Sequence, residues 1–500
     1  MSRRSAGPGA VLAVVSFGVF IAADDLTVVT TMLRHIIGDL QIPLPDDFDR
    51  AAWIVNSYLV AYVAVMPFMG RLSDVLGRRR VFVGALALFL AGSLWIPFTT
   101  ELGPFVAGRV MTALGGGAMV PVALAAIGDV YGEGRRARPL GVLGAVDTIG
   151  WVWGPLFGAL LVRFLDWRWQ FYLNVPLAIA GIALAWWALR GLDRPTEHHR
   201  IDWGGAIALS AGLAALNIAL LAVGDISTAE ELADLTGERG FASTPFFVVA
   251  AAALVAFVIL EWRSRDPLVD LRLFSHRDVA PAMAVNFLVG AVLVVAMVDV
   301  PLFVNLVVET NLERAAVMSG WVLSTLTATM AASSWAGGVL TARLGRRIVV
   351  ISGVAVVAGG FVLMGSMWDA ATGPWEMGLH LAVLGTGFGL VTAPVHDAAV
   401  AAAPPDRRGT AGGLVILARL MGLAVGLSGL TAWALHRFEV LRSSLDLPSV
   451  GSPDYSEALE AAQGELTATA LGETFLFAAA VAAAAVAVAT ALRRGSDPAR

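Results

Sequence analysis

Among the ionisable side chains inside long apolar stretches of this sequence five stand out: Asp24 and Asp25 in the first, Arg109 in the fourth, Asp147 in the fifth and Arg419 in the thirteenth. A lone carboxylate or guanidinium costs several kcal/mol in hydrocarbon, so each needs a partner, a water-filled cavity or a function. The chemistry open to such groups is proton binding and reversible ion pairing. At a helical rise of about 1.5 Å per residue, Asp25 lies roughly 15 Å below the outer end of its stretch and Arg109 roughly 9 Å below that of the fourth, depths at which they can meet. Asp25 is therefore a candidate proton site, with burial and the guanidinium pulling its proton affinity in opposite directions. A permanent structural ion pair accounts for the same two residues. Asp24 is either a second titrating group or a neighbour facing water. By the same rise, Asp147 and Arg419 sit roughly 12 Å and 15 Å in from the opposite side, Asp299 is about 30 Å into the ninth stretch and so beyond the core, and Asp129 and Asp397 fall at interfacial inner helix ends.

The elements that hold these groups are membrane spans. The 500 residues are 57% hydrophobic and 15% charged, with a mean hydropathy of +0.75, too apolar for an ordinary soluble protein. Apolar runs fall near 10–35, 51–70, 80–98, 103–127, 139–163 and 170–189, then as a pair at 203–223 and 244–262. Six more follow at 279–308, 317–341, 347–367, 378–399, 409–435 and 473–492, which makes 14 transmembrane helices. Lipid offers backbone groups no partners, so the spans are helical, and the ten-residue alternation of a β-barrel is absent. The first run is too long for a signal peptide and lacks a small-residue cleavage site. With the N-terminus inside, inner segments carry about three times as many arginines as outer ones, which puts both termini in the cytoplasm.

Two absences prune the chemistry. Cysteine is missing, and all 34 residues counted as Lys+Arg are arginine. Disulfides, thiolate metal sites and catalytic thiols are excluded, as are a Walker A loop and a Schiff-base lysine. There is no HExxH, no GxSxG and no dense His or carboxylate cluster, so an enzyme reading has no support and no metal or catalytic site is expected. Gly385-Thr386-Gly387-Phe388-Gly389 lies within a span and is not a dinucleotide loop. No cofactor is expected; a proton gradient is the energy source that remains.

The sequence repeats itself. After the second run it reads Gly70-Arg71-Leu72-Ser73-Asp74-Val75-Leu76-Gly77-Arg78-Arg79, and after the tenth Gly338-Val339-Leu340-Thr341-Ala342-Arg343-Leu344-Gly345-Arg346-Arg347. The spacing places six helices, an inserted pair and six helices in parallel correspondence, the plan of duplicated transporters with a central cavity. In this reading the glycines allow a tight inner turn, Asp74 lies near a helix N-terminus, and Arg78 and Arg79 anchor in the phosphate layer. The parts are 1–190, an N-terminal six-helix bundle; 191–270, a linker with the inserted pair; and 271–500, a C-terminal six-helix bundle with extended outer segments.

Gly70 to Arg79 resembles the inner-loop signature of the major facilitator superfamily. Gly150-Trp151-Val152-Trp153-Gly154-Pro155-Leu156-Phe157-Gly158 is similar to the antiporter motif of facilitator exporters, and Asp166-Trp167-Arg168-Trp169-Gln170-Phe171-Tyr172-Leu173-Asn174-Val175-Pro176 to the start of span 6 in the fourteen-helix drug/proton antiporter branch. Gly108-Arg109 with Gly115-Gly116-Gly117 matches that branch's buried-arginine motif, except that Thr112 and Ala113 replace a usual Gln and Gly. A narrower resemblance, through Val298 to Phe303 and Ala418-Arg419 to Phe438, is to mycobacterial triacylglyceride-exporting facilitators, which cooperate with a periplasmic lipoprotein. It departs at span 5, where a carboxylate is expected at Thr148 and stands at Asp147 instead, about 100° around the helix. The resemblance implies that spans 1 and 4 line a central cavity and that Asp25 is the branch's span-1 aspartate. It also implies that Asp147 and Arg419, on the fifth helix of each half, form an inter-bundle lock; independent solvated charges are the alternative.

Gly150, Gly154 and Gly158 make a small-residue face beside Pro155, fit for a rocking interface or for plain packing. The runs at 279–308 and 317–341 are long enough to protrude outward, as is a helix-like segment at 455–471 after Ser452-Pro453, while 224–245 reads as an acidic outer loop. Such a collar suits a greasy substrate or a docking partner; tilt and a surface loop are the bland explanation. The expectation is a monomeric, proton-coupled exporter of lipids or amphiphilic drugs in a bacterial cytoplasmic membrane, with no nucleic-acid partner. A narrow multidrug antiporter and a non-transporting scaffold or receptor are the alternatives.

Overall fold

A computed structural model describes residues 7–42, 48–132, 135–192, 202–236, 244–264, 267–268, 278–309, 312–369, 371–443 and 455–493. Among these residues there is no strand, and the helices in chain order are α1 (Pro8–Asp39), α2 (Phe48–Leu76), α3 (Arg78–Trp95), α4 (Leu102–Val130), α5 (Ala137–Phe164), α6 (Arg168–Ala188), α7 (Trp203–Thr236), α8 (Thr244–Arg263), α9 (Val279–Phe303), α10 (Leu312–Leu344), α11 (Arg346–Met367), α12 (Pro374–Ala402), α13 (Arg408–Ser443) and α14 (Tyr455–Ala489). The arginines at 194, 200, 265, 272 and 277, counted on the inner side, lie outside the described residues, as do Ser452 and Pro453.

Among the described residues, 13 of the helices are long and apolar enough to cross a membrane. α10 is the exception, although a span was expected there. Its middle carries Ser324, Thr325, Thr327, Thr329, Ser333 and Ser334, which lower its hydropathy. The helix keeps its form because hydroxyls bond back to carbonyls one turn earlier, as in Ser324 to Gly320, Thr327 to Leu323, Thr329 to Thr325 and Ser333 to Thr329, at 2.6 to 2.9 Å. It packs against α12 of its own half and α5 of the other.

The duplication seen in sequence is present in space. α1 packs on α5, α2 on α4 and α3 on α4 and α6; the counterparts α9 on α13, α10 on α12 and α11 on α12 and α14 repeat that scheme. α7 and α8 pack on each other, and α7 also on α2 and α13, one helix from each bundle. Ser210 of α7 fastens this pair by donating to the Ala64 carbonyl at 2.8 Å. The inserted pair thus covers the α2–α13 seam, and among the described residues it makes no extensive packing on α5 or α10.

Two outer segments differ from expectation. The stretch read as a loop from 224 onward continues α7 to Thr236. The helix-like segment at 455–471 is part of α14, and the longest elements are α13 with 36 residues and α14 with 35. At about 1.5 Å per residue each exceeds 50 Å, well beyond a core of about 30 Å. Arg437 joins them, with Nε and Nη2 donating to Glu473 at 2.5 and 2.8 Å. α9 passes at Phe303 into one π-type turn at Val304–Val308, and the two together make the 30-residue span expected at 279–308.

Candidate functional site

Arg109 and Asp25 meet inside the first bundle. Arg109 Nη1 lies 2.8 Å from Asp25 Oδ2, and both side chains are fully buried. The guanidinium also donates twice to the Asp25 carbonyl at 3.3 Å and stands 4.4 Å over the Tyr58 ring. Oδ1 of Asp25 accepts from Asn174 Nδ2 at 3.1 Å. Asp24 does not face water: it is 6% exposed, its Oδ2 accepts from Gln170 Nε2 at 2.8 Å, and its Oδ1 has no hydrogen-bond partner. Two carboxylates and one guanidinium sum to one negative charge in a buried site, and one bound proton neutralises it. The cluster is suited to hold one proton.

Local sequence explains how four helices converge here. A Cβ on Gly115, Gly116 or Gly117 would sit 2.6 Å from the Ala85 carbonyl, the Tyr58 hydroxyl or the Tyr62 carbonyl, so the glycine triplet lets α4 touch α3 and α2 together. Thr112, standing where the resembling branch has Gln, donates to the Arg109 carbonyl at 3.0 Å. Gln170 and Asn174 are one turn apart on α6 and present both amides to the aspartates. Reading the sequence for charges alone missed this amide pair; its signal was two polar residues at helical spacing in an apolar span.

Asp147 and Arg419 line one narrow cavity between the bundles, together with His396 of α12 and Tyr62 and Trp151 of the first bundle. Its volume of about 30 Å³ has room for a water or two. Among the described residues neither Asp147 nor Arg419 forms an ion pair, so the expected lock is not closed in this conformation. The one-residue departure in span 5 does not remove the carboxylate from the interface: Asp147 reaches the cavity, while Thr148 turns back to donate to Gly144 at 2.8 Å. His396 was not singled out in the sequence.

The two copies of the repeated motif close one end of the molecule, the end where α1 begins and α2 stops. In the first, Asp74 accepts from the backbone N–H groups of Gly409 and Thr410 at 3.0 and 3.1 Å and from the Thr410 hydroxyl at 3.1 Å, capping α13 of the other bundle. It also pairs with Arg78. Arg78 Nε lies 3.0 Å from Asp129, whose other oxygen is 3.0 Å from Arg408 Nη1. Arg78 is 4% exposed, so it is held by carboxylates and not by a phosphate layer; Arg79 stacks 3.7 Å from the Trp186 ring. Gly77 makes the turn at φ 95°, a conformation side chains disfavour, whereas Gly70 serves close approach, since a Cβ there would strike the backbone of Gly409.

In the second copy Gly345 makes the turn at φ 80° and Gly338 meets the Ala137 carbonyl. Arg346 lies 3.3 Å from Asp278 and 3.5 Å from Asp397, and Arg136 of the first bundle lies 3.1 Å from Asp397. Asp129 and Asp397, expected to be interfacial helix ends, are the bridging carboxylates of both networks. Ser334 adds a bond across the bundles to the Gly141 carbonyl at 3.2 Å.

The glycine stripe of α5 faces α1 of its own bundle. A Cβ on Gly150, Gly154 or Gly158 would meet Ala23, Thr27 or Thr31 respectively. The stripe is intra-bundle packing, not a surface on which one bundle rocks over the other. Pro155 lies within α5, and its side chain is outside the described residues. Asp299, expected beyond the membrane core, is 7% exposed and sheltered by protein.

The Major Facilitator Superfamily profile matches residues 15–427. A triacylglyceride transporter of Mycobacterium tuberculosis is 32% identical over 495 residues, covering 95% of this chain and 93% of its own. Multidrug resistance protein 3 of Bacillus subtilis is 30% identical over 414 residues, 82% of this chain and 76% of its own. Among solved structures, the human organic anion transporter MFSD10 is similar with a TM-score of 0.60 at 16% identity, covering 95% of this chain and 99% of its own. The proton:xylose symporter XylE is similar at 0.57 and 14%, covering 95% and 94%. At those identities the two structures speak for the fold alone.

Proposed function

The chain belongs to the major facilitator superfamily, and from that premise we propose that it is a proton-coupled exporter of lipophilic compounds working by alternating access. The observation that carries this reading is the Asp24, Asp25 and Arg109 cluster, whose formal charge is neutralised by one proton. Protonation there is the event that drives the cycle, and it releases the closed arginine-rich end. Asp147 and Arg419 engage as a lock in another conformation. By the positive-inside rule the closed end is cytoplasmic, so this conformation faces outward from a bacterial inner membrane. The working parts are a bundle at 1–190, a linker with a helix pair at 191–270 and a bundle at 271–500, acting as a monomer.

Lipids such as triacylglycerides are the cargo that the relatives' names favour, with amphiphilic drugs beside them. Exposed Ile149, Trp153, Leu156, Leu160 and Phe164 give α5 a greasy face, and the α13–α14 extension shelters a tail leaving the bilayer or receives a periplasmic lipoprotein. A multidrug antiporter without a lipid role is the second reading, supported by the Bacillus relative. Purified chain reconstituted in vesicles, with a fluorescent triacylglyceride and ethidium as alternative cargoes, tests this. Flux of the lipid probe that a protonophore collapses is the expected result; ethidium flux alone selects the second reading, and flux indifferent to the protonophore overturns proton coupling.

A further inference from the structure

His396 occupies an unusual position. It is 8% exposed, it lines the inter-bundle cavity opposite Asp147 and Arg419, and its Nδ1 has no hydrogen-bond partner. A buried imidazole nitrogen left without a partner calls for an explanation, and here the nitrogen belongs to a residue lining a space that admits water. The titratable groups in that space are Asp147 from α5, Arg419 from α13 and Tyr62 from α2. α4 contributes only Val120 and Leu124, and α9, α10 and α11, which also pack on α12, contribute nothing to it. The adjacent Asp397 is engaged at the arginine-rich end by Arg136 and Arg346.

These neighbours act on an imidazolium in opposite senses: the guanidinium repels it and the carboxylate attracts it. Arg419 shares a bundle with His396 whereas Asp147 belongs to the other, so a motion of one bundle against the other changes the Asp147 distance and leaves the Arg419 distance nearly fixed. We propose that His396 is a second proton acceptor of the transport cycle, neutral beside Arg419 of its own bundle in the closed-end conformation and protonated at Nδ1 from cavity water when bundle movement brings Asp147 closer. Asp147 then balances the new charge. The proposal rests on the export reading for its place in the cycle, but the linkage between the three side chains is measurable without transport.

The experiment is ring-nitrogen NMR of the full chain labelled with 15N-histidine in lipid nanodiscs. The His396 signal is identified among the seven histidines by its loss in His396→Gln. At about pH 6, Arg419→Gln is expected to raise the protonated fraction of His396 at least tenfold over the unsubstituted chain, and Arg419→Lys, which keeps the charge, to leave it low. An equal fraction in the unsubstituted chain and Arg419→Gln, or the Lys variant behaving as the Gln variant, overturns the proposal. Should Arg419→Gln fail to fold, Asp147→Asn supplies the second arm: near pH 5 the protonated fraction falls severalfold, and an unchanged fraction overturns it. Failure of lipid flux in vesicles with these spectra as expected counts against the export reading and leaves the linkage standing.

Discussion

The Asp25–Arg109 centre and the Asp147–Arg419–His396 cavity use the same kinds of residue and differ in what surrounds them. The first is assembled from α1, α4 and α6 of one bundle, and both oxygens of Asp25 are bonded. The second is divided between bundles, keeps room for water and contains no ion pair among the described residues. Relative motion of the bundles leaves the first pair intact and separates or joins members of the second. In the proposed cycle both centres take up a proton, but only the second also senses bundle position, and the closed end must connect them.

The largest effect expected from this contrast is on stability. Arg109→Ala leaves two buried carboxylates without their cation and is expected to cost about 3–5 kcal/mol. Arg419→Ala, beside a wet cavity and with no ion pair to lose, is expected to cost well under half of that; thermal melting of both variants in detergent checks it, and equal losses erase the distinction. Next in size is transport. Asp147→Arg and Arg419→Asp are each expected to cut flux about tenfold or more, equivalent to at least about 1.4 kcal/mol, and the double reversal to restore most of it if the two groups meet during the cycle.

A third expectation sets the two motif copies against each other. Asp74 accepts three hydrogen bonds from Gly409 and Thr410 across the seam, whereas the second copy has Ala342 at that place and relies on close backbone contact. Asp74→Ala is expected to weaken the closed end by about 1.5–3 kcal/mol, the worth of charge-assisted hydrogen bonds. Ala342→Ser should leave it nearly unchanged; cross-linking yield between cysteines placed across the seam reads both. The smallest effect concerns the opposite, exposed end. Arg168 donates to Asp39 at 2.5 Å, and that hydrogen bond above all holds the Asp39 carboxyl below its usual range. A depressed acid contributes stability above its unfolded pKa and loses it as pH falls through the folded one. Because the pair is solvent-exposed, Asp39→Asn is expected to cost less than about 1 kcal/mol near neutral pH and nothing in strong acid, as melting curves across that range can show.

Much of this was legible in the sequence because hydrocarbon is an unforgiving solvent. A charge in an apolar run announces itself, and helical rise alone put Asp25 and Arg109 at compatible depths. Gln170 and Asn174 were not singled out, since neutral amides are tolerated in spans and only the fold reveals that they face the aspartates. Asp129 and Asp397 read as ordinary helix ends because their partners Arg408 and Arg136 are hundreds of residues distant in the chain. His396 carries no local signal; its meaning comes from three helices meeting. The hydroxyl ladder of α10 shows the opposite case, a span whose composition hides it while its bonding supports it.

The most direct test of the account is the distance across the arginine-rich end as the pH is lowered. The chain has no native cysteine, so spin labels at Leu76→Cys and Leu344→Cys, exposed at 40% and 51% on the ends of α2 and α10, report that distance alone in nanodiscs. On lowering the pH from about 8 to about 5, a longer-distance population is expected to grow, and Asp25→Asn should show that population already at the higher pH. A single distance, the same at both pH values and unmoved by Asp25→Asn, would contradict the coupling of that proton site to the closed end.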